Sequence, residues 1–140
     1  MARGLVRILL LLALFLCIGA TQMEATAALL KDRDAVKAVV AFVSDDVRGE
    51  FLRRAEDFGT DRAFTLKTSP TRPDGKHFVV QMWREDIEII LINPFNDPTE
   101  FRIYFYLNKS GAAVTAIDSL ATDLKETLRS IAGVTLRELG

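Results

Sequence analysis

HFVVQMWREDIEIILINPFNDPTEFRIYFYLN, residues His77–Asn108, is the stretch whose reading decides the fold. Within it Phe101, Ile103, Phe105 and Leu107 fall on one side of an extended chain, and Arg102, Tyr104, Tyr106 and Asn108 on the other. A period of two is what a half-buried β-strand requires, because successive side chains point to opposite faces. The stretch reads as three strands: His77–Arg84, Ile87–Asn93 and one beginning at Phe101. With Glu85-Asp86 as a two-residue hairpin loop, Met82 faces Ile89 and Val80 faces Leu91 on one side. Trp83 then faces Glu88, Gln81 faces Ile90 and Val79 faces Ile92 on the other. The apolar sets match, and a one-residue slip would invert them. The turn itself argues the other way, since tight hairpins favour Gly or Asn over Glu-Asp.

Upstream, Phe64, Leu66 and Thr68 alternate with Thr65, Lys67 and Ser69, which adds a preceding strand. Pro73-Asp74-Gly75 supplies the turn, with Pro setting φ and Gly accepting the positive φ that follows. The expected sheet is therefore a four-stranded antiparallel meander in the order 1-2-3-4. Before it, Val36, Val40, Val43, Val47, Phe51, Ala55 and Phe58 recur at three- and four-residue steps, predicting an N-terminal helical segment. Ser44-Asp45-Asp46 suits a helix start there, and Gly59 suits a left-handed C-cap. The β-branched run Val39–Val43 also admits a short strand. After the sheet, Ser110-Gly111 opens a C-terminal amphipathic helix with Val114, Ile117, Leu120, Ala121, Leu124, Leu128 and Ile131 on its apolar face. Gly133 caps that helix, and Val134–Leu139 reads as a short edge strand. The fold class is α+β.

The first residues read differently. Arg3 and Arg7 precede the unbroken apolar run Ile8–Ile18, and Gly19 and Ala20 follow it. That order is a secretory signal peptide, with cleavage expected after Ala20 or Ala27. An eleven-residue apolar run is short for a hydrocarbon layer of about 30 Å, which disfavours a retained anchor. The expected organisation is a signal over 1–27 and a single domain over 28–140, exported to a periplasm or secreted. Cys17, the only cysteine, lies inside the signal, with Phe15 and Leu16 before it where lipidation wants small residues. The mature chain then has neither disulfide nor thiol nucleophile. Without Arg3, Arg7 and Glu24, sixteen basic and eighteen acidic residues remain. So even a balance argues against nucleic acid, which is held largely through clustered Lys and Arg.

The chemistry-bearing residues are sparse. His77 is the only histidine, so no multi-histidine metal site exists. Its strand start lies at the same sheet end as Ser69, Asp74 and Asp97, which makes a small hydrolase using His77 with loop acids one alternative. The paired acids Asp45-Asp46, Glu56-Asp57 and Glu85-Asp86 read as caps and turns, because sequence neighbours point apart. No Gly-rich phosphate loop follows a strand, and no metal or cofactor is expected. Asn108-Lys109-Ser110 fits the glycosylation pattern but reads first as a helix lead-in.

If both helices cover the Met82–Leu91–Phe105 side, the opposite side shows Gln81, Trp83, Ile90, Arg102, Tyr104 and Tyr106. That surface is the candidate binding site, the alternative being a second core layer formed by the N-terminal helical segment packing on it. Tyr, Trp and Arg carry disproportionate binding energy, and contiguous apolar patches mark interfaces. The chain is thus expected to be a non-catalytic binding or accessory module. Its partner would be a second copy, another exported protein or an apolar small molecule. A membrane enters only if the N-terminal segment is retained, as an anchored envelope protein.

Overall fold

The computed structural model describes residues 34–94, 96–107 and 114–139. The expected signal, its cleavage points and Cys17 lie outside the described residues, as do Phe95, Asn108-Lys109-Ser110 and Gly111. In chain order the elements are β1 (Lys37–Val43), a 3-10 turn (Asp45–Val47), α1 (Arg48–Asp61), β2 (Thr65–Pro70), β3 (Phe78–Arg84), β4 (Ile87–Ile92), β5 (Glu100–Leu107), α2 (Val114–Arg129) and β6 (Val134–Leu139). Among the described residues the strands form one antiparallel sheet, ordered β2-β3-β4-β5-β1-β6.

The expected meander survives as the run β2-β3-β4-β5, and two further strands extend it. The register across β3 and β4 is the one read from the apolar pattern, Met82 on Ile89 and Gln81 on Ile90. Glu85 takes φ 52° at the hairpin, so the two-residue loop forms despite lacking Gly or Asn. Matched apolar faces on both strands outweigh the cost of one left-handed non-glycine residue.

The N-terminal helical segment is corrected. Lys37–Val43 is a strand, inserted between β5 and β6. Its residues Val39, Val40 and Ala41 are buried, so both of its faces are apolar. A run that is apolar all round carries no period, and the helical spacing of Val36, Val40 and Val43 was coincidence. Ser44 does not cap the following turn with its side chain. Its Oγ instead donates to the Gly133 carbonyl at 3.1 Å, tying the end of β1 to the start of β6. The helix proper is α1, which buries Phe51, Ala55 and Phe58 at helical spacing.

Gly59 is also corrected, from C-cap to helix interior, since α1 runs on to Asp61. The left-handed residue that ends it is Ala63, at φ 57°. Gly59 is there for proximity: a Cβ on it would stand 2.9 Å from the Met82 sulfur on β3. Gly133 does take positive φ, at 93°, and turns the chain from α2 into β6. The edge strand expected over Val134–Leu139 is β6.

Both helices lie on one side of the sheet. Phe51, Ala55 and Phe58 of α1, and Ile117, Leu120, Ala121, Leu124 and Leu128 of α2, share a core with Val80, Met82, Ile89, Leu91, Phe101, Ile103 and Phe105. Phe51 and Phe101 rings meet at 4.8 Å between centroids. Two ion pairs stitch the layer at its rim, Lys37 with Asp118 at 2.9 Å and Arg62 with Asp123 at 3.3 Å. A third joins Lys125 to Glu138. The Lys37 ammonium is pushed up from its ordinary value, first by its hydrogen bond to Asp118.

Candidate functional site

The side of the sheet away from the helices carries the residues expected to bind. Strand pairing sets them in rows across the sheet. Trp83, Glu88 and Tyr106 make one row; Gln81, Ile90, Tyr104, Ala38 and Leu139 the next; Val79, Ile92, Arg102, Val40 and Arg137 the third. Gln81, Trp83, Ile90, Arg102, Tyr104 and Tyr106 are therefore brought onto one surface.

That surface is open at its flanks and not at its centre. Ile90 is 0 % exposed and Tyr106 2 %, and they cluster with Val79 and Ile92. Tyr104 packs on this cluster, and so does Ala35 from the segment leading into β1. On the flanks Trp83 is 39 % exposed and Arg102 is exposed, with Gln81 and Tyr104 half-buried. The polar groups are held. Gln81 Nε2 donates to the buried Glu88 carboxylate at 2.6 Å, and Arg102 Nε reaches Glu100 at 2.9 Å. The Arg102 guanidinium is pushed up from its ordinary value by Glu100 first, then by Tyr104. The Tyr104 and Tyr106 rings lie 6.2 Å apart, tilted at 34°.

Sequence reading missed the part of this surface that β1 and β6 supply. Phe42 is 39 % exposed, with the Arg137 guanidinium 5.9 Å from its ring centroid, and Val40 lies buried between Arg102 and Arg137. No period could have revealed β1, because Val39, Ala41 and Val43 on one side and Val40 and Phe42 on the other are all apolar; its β-branched content was the available signal.

At one end of the sheet, the residues of the hydrolase alternative meet in part. His77 Nδ1 lies 2.6 Å from an Asp74 carboxylate oxygen, and the ring is buried. The same carboxylate accepts the Lys76 and His77 backbone N–H groups at 2.8 and 3.2 Å, across the Gly75 turn. These bonds hold the Asp74 acid below its usual range, the Lys76 amide contributing most. Asp97 is likewise lowered, chiefly by the Thr99 hydroxyl at 2.6 Å and its amide at 2.8 Å. Asn93 joins the strand ends: its oxygen accepts from the Phe78 amide at 2.8 Å, and its Nδ2 donates to the Glu100 carbonyl at 3.0 Å.

A hydrolytic histidine needs a hydroxyl on its second nitrogen. His77 Nε2 is buried and has no hydrogen-bond partner among the described residues. Ser69 lies within β2, paired opposite Val79, and its hydroxyl makes no hydrogen bond to His77. As arranged, His77 and Asp74 clasp a turn. The paired acids also take local roles: Asp45 meets Arg48 at 2.5 Å, Glu56 accepts from the Thr68 hydroxyl, and Asp57 meets Arg53 at 2.9 Å. Among the described residues no three His, Cys, Asp or Glu side chains gather as a metal site. No helix among them is long and apolar enough to cross a membrane.

No protein-family model matches the chain, and no curated protein matches it.

Proposed function

We propose that this chain is an exported, non-catalytic recognition or accessory module, acting through the side of the sheet opposite its helices. The observation that supports this reading is the two-sidedness of the fold. One side is sealed by α1 and α2, while the other carries Trp83, Arg102 and Tyr104 around an apolar centre. Export rests on the charged, apolar and small-residue order of Met1–Ala27. Rings and a guanidinium at an accessible margin suit a partner with apolar surface, either another exported protein or an apolar small molecule.

Trp83 is the sole tryptophan, so its emission reports on this surface directly. Titration with anilinonaphthalene sulfonate should quench Trp83 and shift its emission to the blue. Tyr104→Ser with Arg102→Ala should abolish that response while leaving the unfolding midpoint nearly unchanged. Trp83 emission unmoved by the dye would refute the reading. So would a double variant that loses several kcal/mol, because the surface would then be a second core layer.

The hydrolase alternative keeps one supporting observation, the 2.6 Å contact between His77 and Asp74. It requires a chromogenic ester or peptide activity that His77→Ala removes and Asp74→Asn reduces.

A further inference from the structure

Among the described residues the sheet is open and has two edges, and an edge strand presents unpaired backbone N–H and C=O groups that another chain can pair with. The two edges differ. In β2 the residues bonded to β3 are in phase with Thr71, whose N–H donates to the His77 carbonyl at 2.9 Å. Strand alternation therefore turns Leu66, Thr68 and Pro70 outward. Pro70 has no N–H to offer, and the Thr68 side chain is tied to Glu56 of α1. That edge is blunted. In β6 the residues bonded to β1 are in phase with Gly133, whose carbonyl accepts from the Ser44 N–H at 3.0 Å. Thr135, Arg137 and Leu139 thus face β1, and Val134, Leu136 and Glu138 turn outward with no proline among them.

We infer that β6 is a homodimer edge, pairing antiparallel with β6 of a second copy about a two-fold axis at Leu136. Three separate features of this edge converge on that register. The first is hydrogen bonding: Leu136 on Leu136 and Val134 on Glu138 bring together the residues whose backbone groups point outward, Val134 through its carbonyl, since its N–H already donates to the Ile131 carbonyl at 3.2 Å. The second is charge. Thr135 falls opposite Arg137 and Val134 opposite Glu138, so no like charges meet. Moving the axis one residue toward the C-terminus sets Arg137 on Arg137, and moving it two sets Glu138 on Glu138, both destabilising, while moving it toward the N-terminus leaves Glu138 and Leu139 beyond the paired stretch. The third is shape. A groove of about 320 Å³ lies at the start of β6, lined by Phe42, Val43, Ser44, Thr99, Gly133 and Thr135. The proposed register brings Leu139 of the second copy level with Gly133, beside that groove. Leu139 and Phe42 are each 39 % exposed, and both lie on the side of the sheet away from the helices. Pairing would bring Leu139 of one copy into the row next to that of Phe42 of the other, on the same side of the joined sheet.

The test is sedimentation velocity of the purified full chain over a range of concentrations, with opposite charges introduced at the exposed Thr135. Thr135→Glu sets an acid against Arg137 of the other copy and should tighten the dimer. Thr135→Arg sets a second cation there and should loosen it. Each dimer has two such cross-strand contacts, so each variant should move Kd roughly two- to thirtyfold, in opposite directions. In a Cys17→Ser background, Leu136→Cys should cross-link to a covalent dimer on mild oxidation, and Arg137→Cys should not. A monomer at every concentration would overturn the inference. So would association that both Thr135 variants leave alone or shift the same way, or cross-linking through Arg137→Cys rather than Leu136→Cys. Trp83→Ser should leave the dimer intact, which separates this edge from the Trp83 flank of the proposed binding surface.

Discussion

Two glycines on α1 make a matched pair, and replacing each by alanine should move stability in opposite directions. Gly49 is exposed, and a Cβ built on it meets nothing within 4 Å. Gly49→Ala therefore reduces the entropy of the unfolded chain without a steric penalty, and should stabilise by about 0.5 kcal/mol. Gly59 lies two turns and more along the same helix, with its Cβ position 2.9 Å from the Met82 sulfur and 3.4 Å from a Leu66 methyl. Alanine there gains about 1 kcal/mol of helix propensity. Against that stands the overpacking of a filled core, which costs about 1–3 kcal/mol. Met82 is itself fully buried, so its sulfur has nowhere open to retreat. The net is a loss of about 1 kcal/mol, a fall in the urea midpoint of roughly 0.5 M for a domain of this size. Urea unfolding followed by circular dichroism reads both variants on one scale. A double-mutant cycle isolates the contact: in a Met82→Ala background, Gly59→Ala should become favourable, with a coupling of about 1–3 kcal/mol. If Gly59→Ala stabilises as much as Gly49→Ala, the helix does not approach β3 as described.

Leu124 is buried in the middle of α2, so Leu124→Asp places an unpaired carboxylate in the core and should unfold the domain by far-UV circular dichroism. Ala63 holds φ 57° at an exposed position, and Ala63→Gly should raise stability by about 0.5–1 kcal/mol in urea unfolding. Asp74 and Asp97 are both more acidic in the fold than when unfolded. Their contribution to stability is complete above the unfolded Asp value near 3.9 and is lost as pH falls through the lowered folded values. Unfolding midpoints of the Asp74→Asn and Asp97→Asn variants should therefore depend less on pH below about 4 than those of wild type. On the outer side of the sheet, Ile90→Ala should cost about 2–5 kcal/mol, whereas Trp83→Ser should cost far less, because Ile90 is wholly buried and Trp83 is not.

What could be read without coordinates was whatever depends on a residue's near neighbours. The pairing of β3 with β4 followed from two apolar patterns joined by two residues, and only one register satisfies both. The apolar stripe of α2, the positive φ at Gly75 and the amphipathic alternation of β5 are of the same kind. They are written locally because the covalent chain itself sets the period and the allowed φ. Lys37–Val43 lies beyond that reach. Its side chains suit a helix or a strand, and it becomes a strand because β5 and β6, some sixty and a hundred residues further on, flank it with unpaired backbone. Gly59 illustrates the same limit, since its lack of a side chain answers to Met82 on a different element rather than to the end of its own helix. The binding surface divides along this line. Alternation placed Trp83, Ile90, Arg102 and Tyr104 together, but only tertiary packing set both helices on the other side, buried Ile90 and Tyr106, and brought in Phe42 and Arg137. Burial and strand neighbours are properties of the closed chain, because they arise from contacts whose formation repays the entropy of bringing distant segments together.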